Sequence, residues 1–267
     1  MPARGGSNGS GKAGPGGKSG AGEKIRAQRA AEARRRRRRN WLAGGGLAVA
    51  AVVVAVIVAV TTSGGPGPAA GTPALNLAAL STLGSLRPAP APGAAGPEGV
   101  PVPAVAPLAG PAASTTGQTI DGVGCQSMEQ TLFHIHAHLT IFVNGQARQV
   151  PAGIGIPGAR ATSTPEGPFV ESGTCFYWLH THAADGIIHI ESPVQRTYTL
   201  GDFFDEWGQP LSTGQVGPAK GHVTALYNGK VYQGDPRGIP LNAHAQIQLE
   251  VGTPLIALVS ITFPDGL

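Results

Sequence analysis

The chain has 267 residues but only two cysteines, two methionines and no histidine before residue 134. With Cys125 and Cys175 as the only thiols, two arrangements are open: one internal disulfide, or a metal thiolate at Cys175. A blue-copper thiolate site also wants a nearby weak ligand such as Met. Met128 precedes the first histidine run and no Met follows Cys175. Outside a membrane the two cysteines are expected to be oxidised, closing a loop of about fifty residues. Also missing are a Ser–His–Asp motif, a nucleophile elbow and a phosphate-binding Gly loop. Gly153 and Gly155 in VPAGIGIPG lack both the spacing and the Lys that a phosphate loop needs.

Charge is scarce and unevenly placed. Twelve of the nineteen Lys and Arg fall in the first forty residues, opposed only by Glu23 and Glu32. Everything after Asn40 carries seven basic and thirteen acidic residues, so the net +4 does not describe a nucleic-acid-binding surface. A membrane explains the asymmetry better. The segment 41–60, WLAGGGLAVAAVVVAVIVAV, has no charge, and twenty helical residues span ~30 Å of hydrocarbon. Six consecutive arginines, Arg34 to Arg39, precede it, which orients the N-terminus inside and the C-terminus outside. The competing reading is a cleaved signal peptide. The stretch is long for a signal core, lies far from the N-terminus and is followed by no prompt A-x-A site. Residues 1–40 read as a disordered basic tail lying against anionic headgroups.

Residues 61–119 are Pro, Ala, Gly, Ser and Thr, with Arg87 and Glu98 as the only charges. This composition predicts a semi-extended extracytoplasmic linker, with a short helix over 74–86. It would present the remaining residues to a cell-wall or surface partner. Residues 120–267 are long enough for one core and carry all eight histidines.

Three turn dipeptides organise that region: Asn144-Gly145, Asp185-Gly186 and Asn228-Gly229. Each signals a type I′ hairpin. Thr199 to Trp207, TLGDFFDEW, reads as one capped acidic helix that puts Phe203, Phe204 and Trp207 in the core. Ala245 to Val251 reads as a final strand. The expected fold class is mostly β (α+β): antiparallel hairpins forming a sheet or barrel with one short helix, preceded by a single transmembrane helix.

The histidines fall in two alternating runs, FHIHAHLTIFVNG and WLHTHAADGIIHIE. In a strand, alternate side chains share a face. His134, His136 and His138 therefore share one face, opposite Ile135, Ala137, Leu139, Ile141 and Val143. In the second run a two-residue turn puts His182 opposite His189, whereas a four-residue loop puts His180 there. Either register leaves His180, His182, His189 and Glu191 on one face beside Trp178. Tyr177, Leu179, Ile188 and Ile190 then point to the core.

Imidazoles gathered this way suit Zn or Cu. The candidate metal ligands are His136, His138, His180, His182, His189 and Glu191, with His134 undecided because it begins its strand. His222 and His244 are isolated and read as structural. If the site were catalytic, Glu191 would be the general base, with Asp185 next. A metal-free interaction module using Tyr177 and Trp178 is the third reading. The passages FHIHAHLTIFVNG and CFYWLHTHAADGIIHIESPVQRTYTLGDFFDEWGQPL resemble an uncharacterised group of bacterial single-pass membrane-anchored proteins with basic N-terminal tails. That resemblance implies the anchored topology and brings no activity or ligand. The HxH element alone is also similar to the strand ligands of cupins and carbonic anhydrases, but the rest of neither pattern is present.

Overall fold

The structure, a computed structural model, describes residues 74–111 and 117–267. The basic tail and the apolar segment 41–60 lie outside the described residues. Among the described residues no helix is long and apolar enough to cross a membrane.

The strands are β1 (Leu77–Ala78), β2 (Cys125–Gln126), β3 (Phe133–Val143), β4 (Gln146–Arg148), β5 (Arg160–Thr164), β6 (Gly167–Ser172), β7 (Phe176–Tyr177), β8 (Leu179–His180) and β9 (Ile187–Ser192). One helix follows, α1 (Leu200–Trp207). Then come β10 (Leu211–Ser212), β11 (Gln215–Val216), β12 (Ala219–Lys220), β13 (Val223–Tyr227), β14 (Lys230–Tyr232) and β15 (Ala245–Val251). The main sheet runs β1-β14-β13-β15-β3-β9-β8, with β4 on the free end of β3.

Two of the three hairpin signals form as expected. Asn144 and Gly145 have φ of 50° and 74°, and Asn228 and Gly229 have 48° and 78°. Positive φ at both central positions is the type I′ requirement that Asn-Gly satisfies cheaply. Thr199 caps α1 in a reciprocal box: its side chain accepts from the Asp202 N–H, and the Asp202 carboxylate accepts from the Thr199 N–H. Gly208 ends the helix in the left-handed conformation. Phe203, Phe204 and Trp207 are fully buried. Glu206 is also fully buried, and burial raises its carboxyl well above the usual range.

Three expectations are corrected. First, among the described residues no sheet closes into a barrel. The edge strand β8 is only two residues long, and the loop between β4 and β5 occupies its outer side: Gly153 N–H donates to Thr181 O, and Thr181 N–H donates to Ile154 O. Second, the sheet is not built of antiparallel hairpins alone. β15 lies antiparallel to β13 but parallel to β3, pairing Ala245 with Ala137 through Val251 with Val143. Third, the described part of the expected linker packs onto the sheet. Leu77–Ala78 extends the sheet beside β14, Arg87 bridges Ile256, and Val100 and Glu98 are buried. Leu80–Leu83 forms a single 3₁₀ turn within the predicted helix.

The two faces of the sheet are buried differently. Ala137, Leu139, Ile141, Tyr177, Leu179, Ile188 and Ile190 join α1 in the main core, as their parity predicts. The histidine face is roofed by the 87–102 segment and the chain's last residues. Gln246, Gln248 and Glu250 hold this C-terminal segment through their side chains, which accept from the N–H groups of Ile261, Val259 and Ile256. Val100, Ile187 and Leu267 form a small apolar cluster under the roof.

Gly155 (φ +70°) backs the edge strand, and a Cβ there would lie 2.2 Å from Leu179 O and 3.0 Å from His180 Cβ. The positive φ alone costs a side chain ~1–2 kcal/mol, before the backbone clash. Gly155→Ala is therefore expected to lower the melting temperature by roughly 4–8 °C, read by thermal denaturation. An unchanged melting temperature would show that the loop is free to move away.

Candidate metal centre

Register decides which histidines meet. β3 pairs with β9 so that His136 lies opposite His189, and β9 pairs with β8 so that His189 lies opposite His180. The four-residue-loop alternative is the one observed. His136, His189 and His180 thus form one row across three strands, with His189 in the middle.

Two sets of ligand atoms converge on this row. His134 Nε2 and His136 Nε2 are 3.1 Å apart, and His136 Nε2 and His189 Nδ1 are 3.1 Å apart. Glu191 Oε1 closes the ring, 3.4 Å from His189 Nδ1 and 2.9 Å from His134 Nε2. Ligands at Zn–N of ~2.0 Å in a tetrahedron lie ~3.3 Å apart, so these four atoms have the right spacing. The second set is His180, His182 and His189, whose ligand atoms lie within 4.8 Å of one another. A third grouping of Glu129, His180 and Glu191 overlaps both.

Two members of the second set, His180 and His182, have fixed tautomers. His180 Nδ1–H donates to Tyr177 O at 2.8 Å, and His182 Nδ1–H donates to Val170 O at 2.6 Å. A carbonyl only accepts, so each Nδ1 carries a proton and each neutral ring presents a bare Nε2. Those two Nε2 atoms are 3.1 Å apart. Burial lowers both pKa values, His182 to about 4 and His180 well below its ordinary value, and neighbouring histidines add to the shift. Both rings are therefore neutral at pH 7, with two lone pairs facing each other. A carbonyl held by the ring's other nitrogen is how metal-ligating histidines are oriented.

His189 differs. Its Nε2 lies 2.8 Å from Glu98 Oε1 and its Nδ1 faces Glu191. Burial opposes its charge, but the Glu98 charge and the hydrogen bonds its ring donates to both carboxylates outweigh burial and push its pKa up to about 10. Glu191 is held well below the usual carboxylate range: hydrogen bonds from His134 and His189 overcome its own burial. Glu191 Oε2 is buried with no hydrogen-bond partner.

The candidates named from sequence separate as follows. His136, His180, His182, His189 and Glu191 come together. His134, undecided from sequence, joins them at 17% side-chain exposure and is the most open of the histidines in the two sets. His138 does not join. It shares the face, but it lies at the far end of the row beside Ile187, and its Nε2 bonds Asp185 O at 3.0 Å. His182 lies outside any strand and is brought in by the β5–β6 hairpin, where Phe169 stacks on its ring at 4.9 Å. Asp185 accepts from the Ile187 N–H as a turn residue, and burial raises its pKa, so it makes no general base. His244 bonds Leu267 O and His222 is in none of the sets, in keeping with structural roles. Cys125 and Cys175 form a disulfide, which removes the thiolate alternative.

Sequence reasoning missed two acids. Glu98 comes from the expected linker and is 1% exposed. Glu129 reaches within 3.4 Å of His182 Nε2 from the loop before β3, with 40% of its side chain exposed. The signal for Glu98 was its isolation, as the only acid between residues 61 and 119.

These shifts give a pH dependence to stability with metal chelated. His182 and His138, both lowered to about 4, contribute stability that is full above ~6.5 and lost as pH falls toward 4. His189, raised to about 10, contributes stability that is full below ~6.5 and lost as pH rises toward 10. Denaturant melts in chelator from pH 4 to 10 should pass through a maximum near neutrality. A monotonic profile would contradict these assignments.

Compared with known proteins, the chain matches no family model, no curated protein and no solved structure, so the reading of this centre rests on its side-chain geometry.

Proposed function

We propose that this chain is a membrane-anchored protein whose extracytoplasmic domain binds copper or zinc through the clustered histidines of β3, β8, β9 and the loop after β8. The observation that carries the reading is the pair of facing lone pairs on His180 and His182. Burying two neutral nitrogen acceptors 3.1 Å apart leaves each without a donor, which is costly. A cation between them removes that cost. A metal-free interaction module accounts for the burial of these rings but not for their convergence. Imidazole and carboxylate donors without thiolate suit Zn or Cu(II). Entry would be beside His134 and Glu129, the exposed members of the cluster.

The uncharged segment 41–60 behind six arginines supports the anchor, and the disulfide suits an oxidising compartment. Elemental analysis of the purified full-length chain, after loading with Zn or Cu and removal of excess, tests the reading. At least one ion per chain is expected. Substoichiometric metal under both loadings would end it.

A further inference from the structure

We propose that the cluster is a two-metal centre in which the His189 ring joins the ions. One ion is held on its Nδ1 side with His134, His136 and Glu191, and the other on its Nε2 side with His180, His182 and Glu98. The inference rests on the metal-binding reading above and extends it in number and connectivity.

Donor count comes first. Seven buried or half-buried groups meet at this row, and a Zn site takes about four ligands. One ion at the His134 end would leave the facing nitrogens of His180 and His182 uncoordinated. One ion at the His180 end would leave the closed ring of His134, His136, His189 and Glu191 without a centre.

Topology comes second. The two sets share one residue, His189. Its ring nitrogens already face different partners: Nδ1 meets His136 and Glu191, and Nε2 meets Glu98. The lone pairs of one imidazole diverge, so the two nitrogens cannot bind the same ion. The row of strands fits this division. Neighbouring strands are ~4.8 Å apart, so ions seated in the two gaps flanking His189 lie about as far apart as two metals bonded through one ring, ~6 Å from two bonds of ~2.0 Å and the ring width.

Charge comes third. Two divalent ions meet two buried carboxylates, Glu98 and Glu191, and an imidazolate. Forming the second metal–nitrogen bond releases the last ring proton of His189 to solvent. No electrons move.

Cu(II) is the probe, since imidazole sites bind it strongly whatever their native ion. Full-length protein is stripped with chelator and titrated while bound copper and the electron paramagnetic resonance intensity are followed. Two ions per chain are expected. The first should give a full isolated-spin signal. The second should lower the total intensity, because an imidazolate couples the two unpaired electrons antiferromagnetically. E98Q combined with H182A removes only the second position and should return one ion with a full signal. Wild-type uptake stopping at one ion per chain overturns the pair and leaves the metal-binding reading standing. Two ions with undiminished intensity overturn the bridge. No bound copper overturns both readings, and none of these wild-type results depends on the variant folding.

Discussion

Full-length chain carrying both H180A and H182A is expected to lose at least ~100-fold in affinity for Zn or Cu at the position these two rings line, since even outer-shell changes around a metal cost 10–100-fold. In the wild type the Nδ1–H groups of both rings are already spent on Tyr177 O and Val170 O. Little side-chain freedom is lost on binding, and each deleted ring removes a ligand held in place. The same double substitution removes the unfavourable contact between two lone pairs, so it should cost little in the chelated protein beyond the cavity it opens. Metal should therefore raise the melting temperature of the wild type by more than that of the variant, which keeps only the position lined by His134, His136, His189 and Glu191. At one hundred times the dissociation constant a ligand adds ~2.7 kcal/mol, which for a domain of this size is roughly 5–10 °C. Isothermal titration and thermal denaturation read the two quantities. Equal metal affinity in both proteins would remove His180 and His182 from the centre.

Breaking the disulfide with C125S and C175S should give the largest loss of stability. The residues are 50 apart in sequence, with Cα atoms 5.5 Å apart. In the chain-entropy model a loop of that size is worth about 4 kcal/mol, or roughly 8–16 °C. The bridge joins the β2–β7 ribbon, whose Cys125 lies opposite Tyr177. Tyr177 supplies the carbonyl that orients His180, so reduction should weaken metal uptake as well as stability. Melting curves with and without reductant check the first effect, and titration of the reduced protein checks the second. A shift of less than about 2 °C would mean that the reduced chain keeps the loop closed by other means.

The parts of this fold that could be read from sequence are those fixed by local chemistry. Asn144-Gly145 and Asn228-Gly229 can take positive φ, so their hairpins were legible. Thr199 and Asp202 can cap each other, so the helix start was legible. Strand parity separated Ile135, Ala137 and Leu139 from His134, His136 and His138 without any knowledge of neighbours. What parity could not supply was distance along the strand. His138 lies on the correct face, yet two residue pairs further along the ladder it is out of reach of His136's partners and bonds a backbone carbonyl. His182 is the converse: it left the strand and was returned by a hairpin with no detectable link to it in sequence. Glu98 lies in a stretch whose composition reads as extended and solvated. Its burial depends on a roof built with the chain's last residues, more than 150 positions away, and such long-range packing leaves no periodic trace.

The parallel pairing of β15 with β3 has a temporal consequence. The histidine-bearing half of the sheet and the β13–β14 half touch each other through this one strand, which comes last in the chain among the described strands. A chain emerging N-terminus first therefore holds two incomplete half-sheets until about residue 251 has been delivered. Assembly must wait for pairings between distant positions, which are slow to form. A polypeptide threaded across a bilayer would complete them only on the far side, so the ions available there, and not those where it was made, would be the first it meets in folded form.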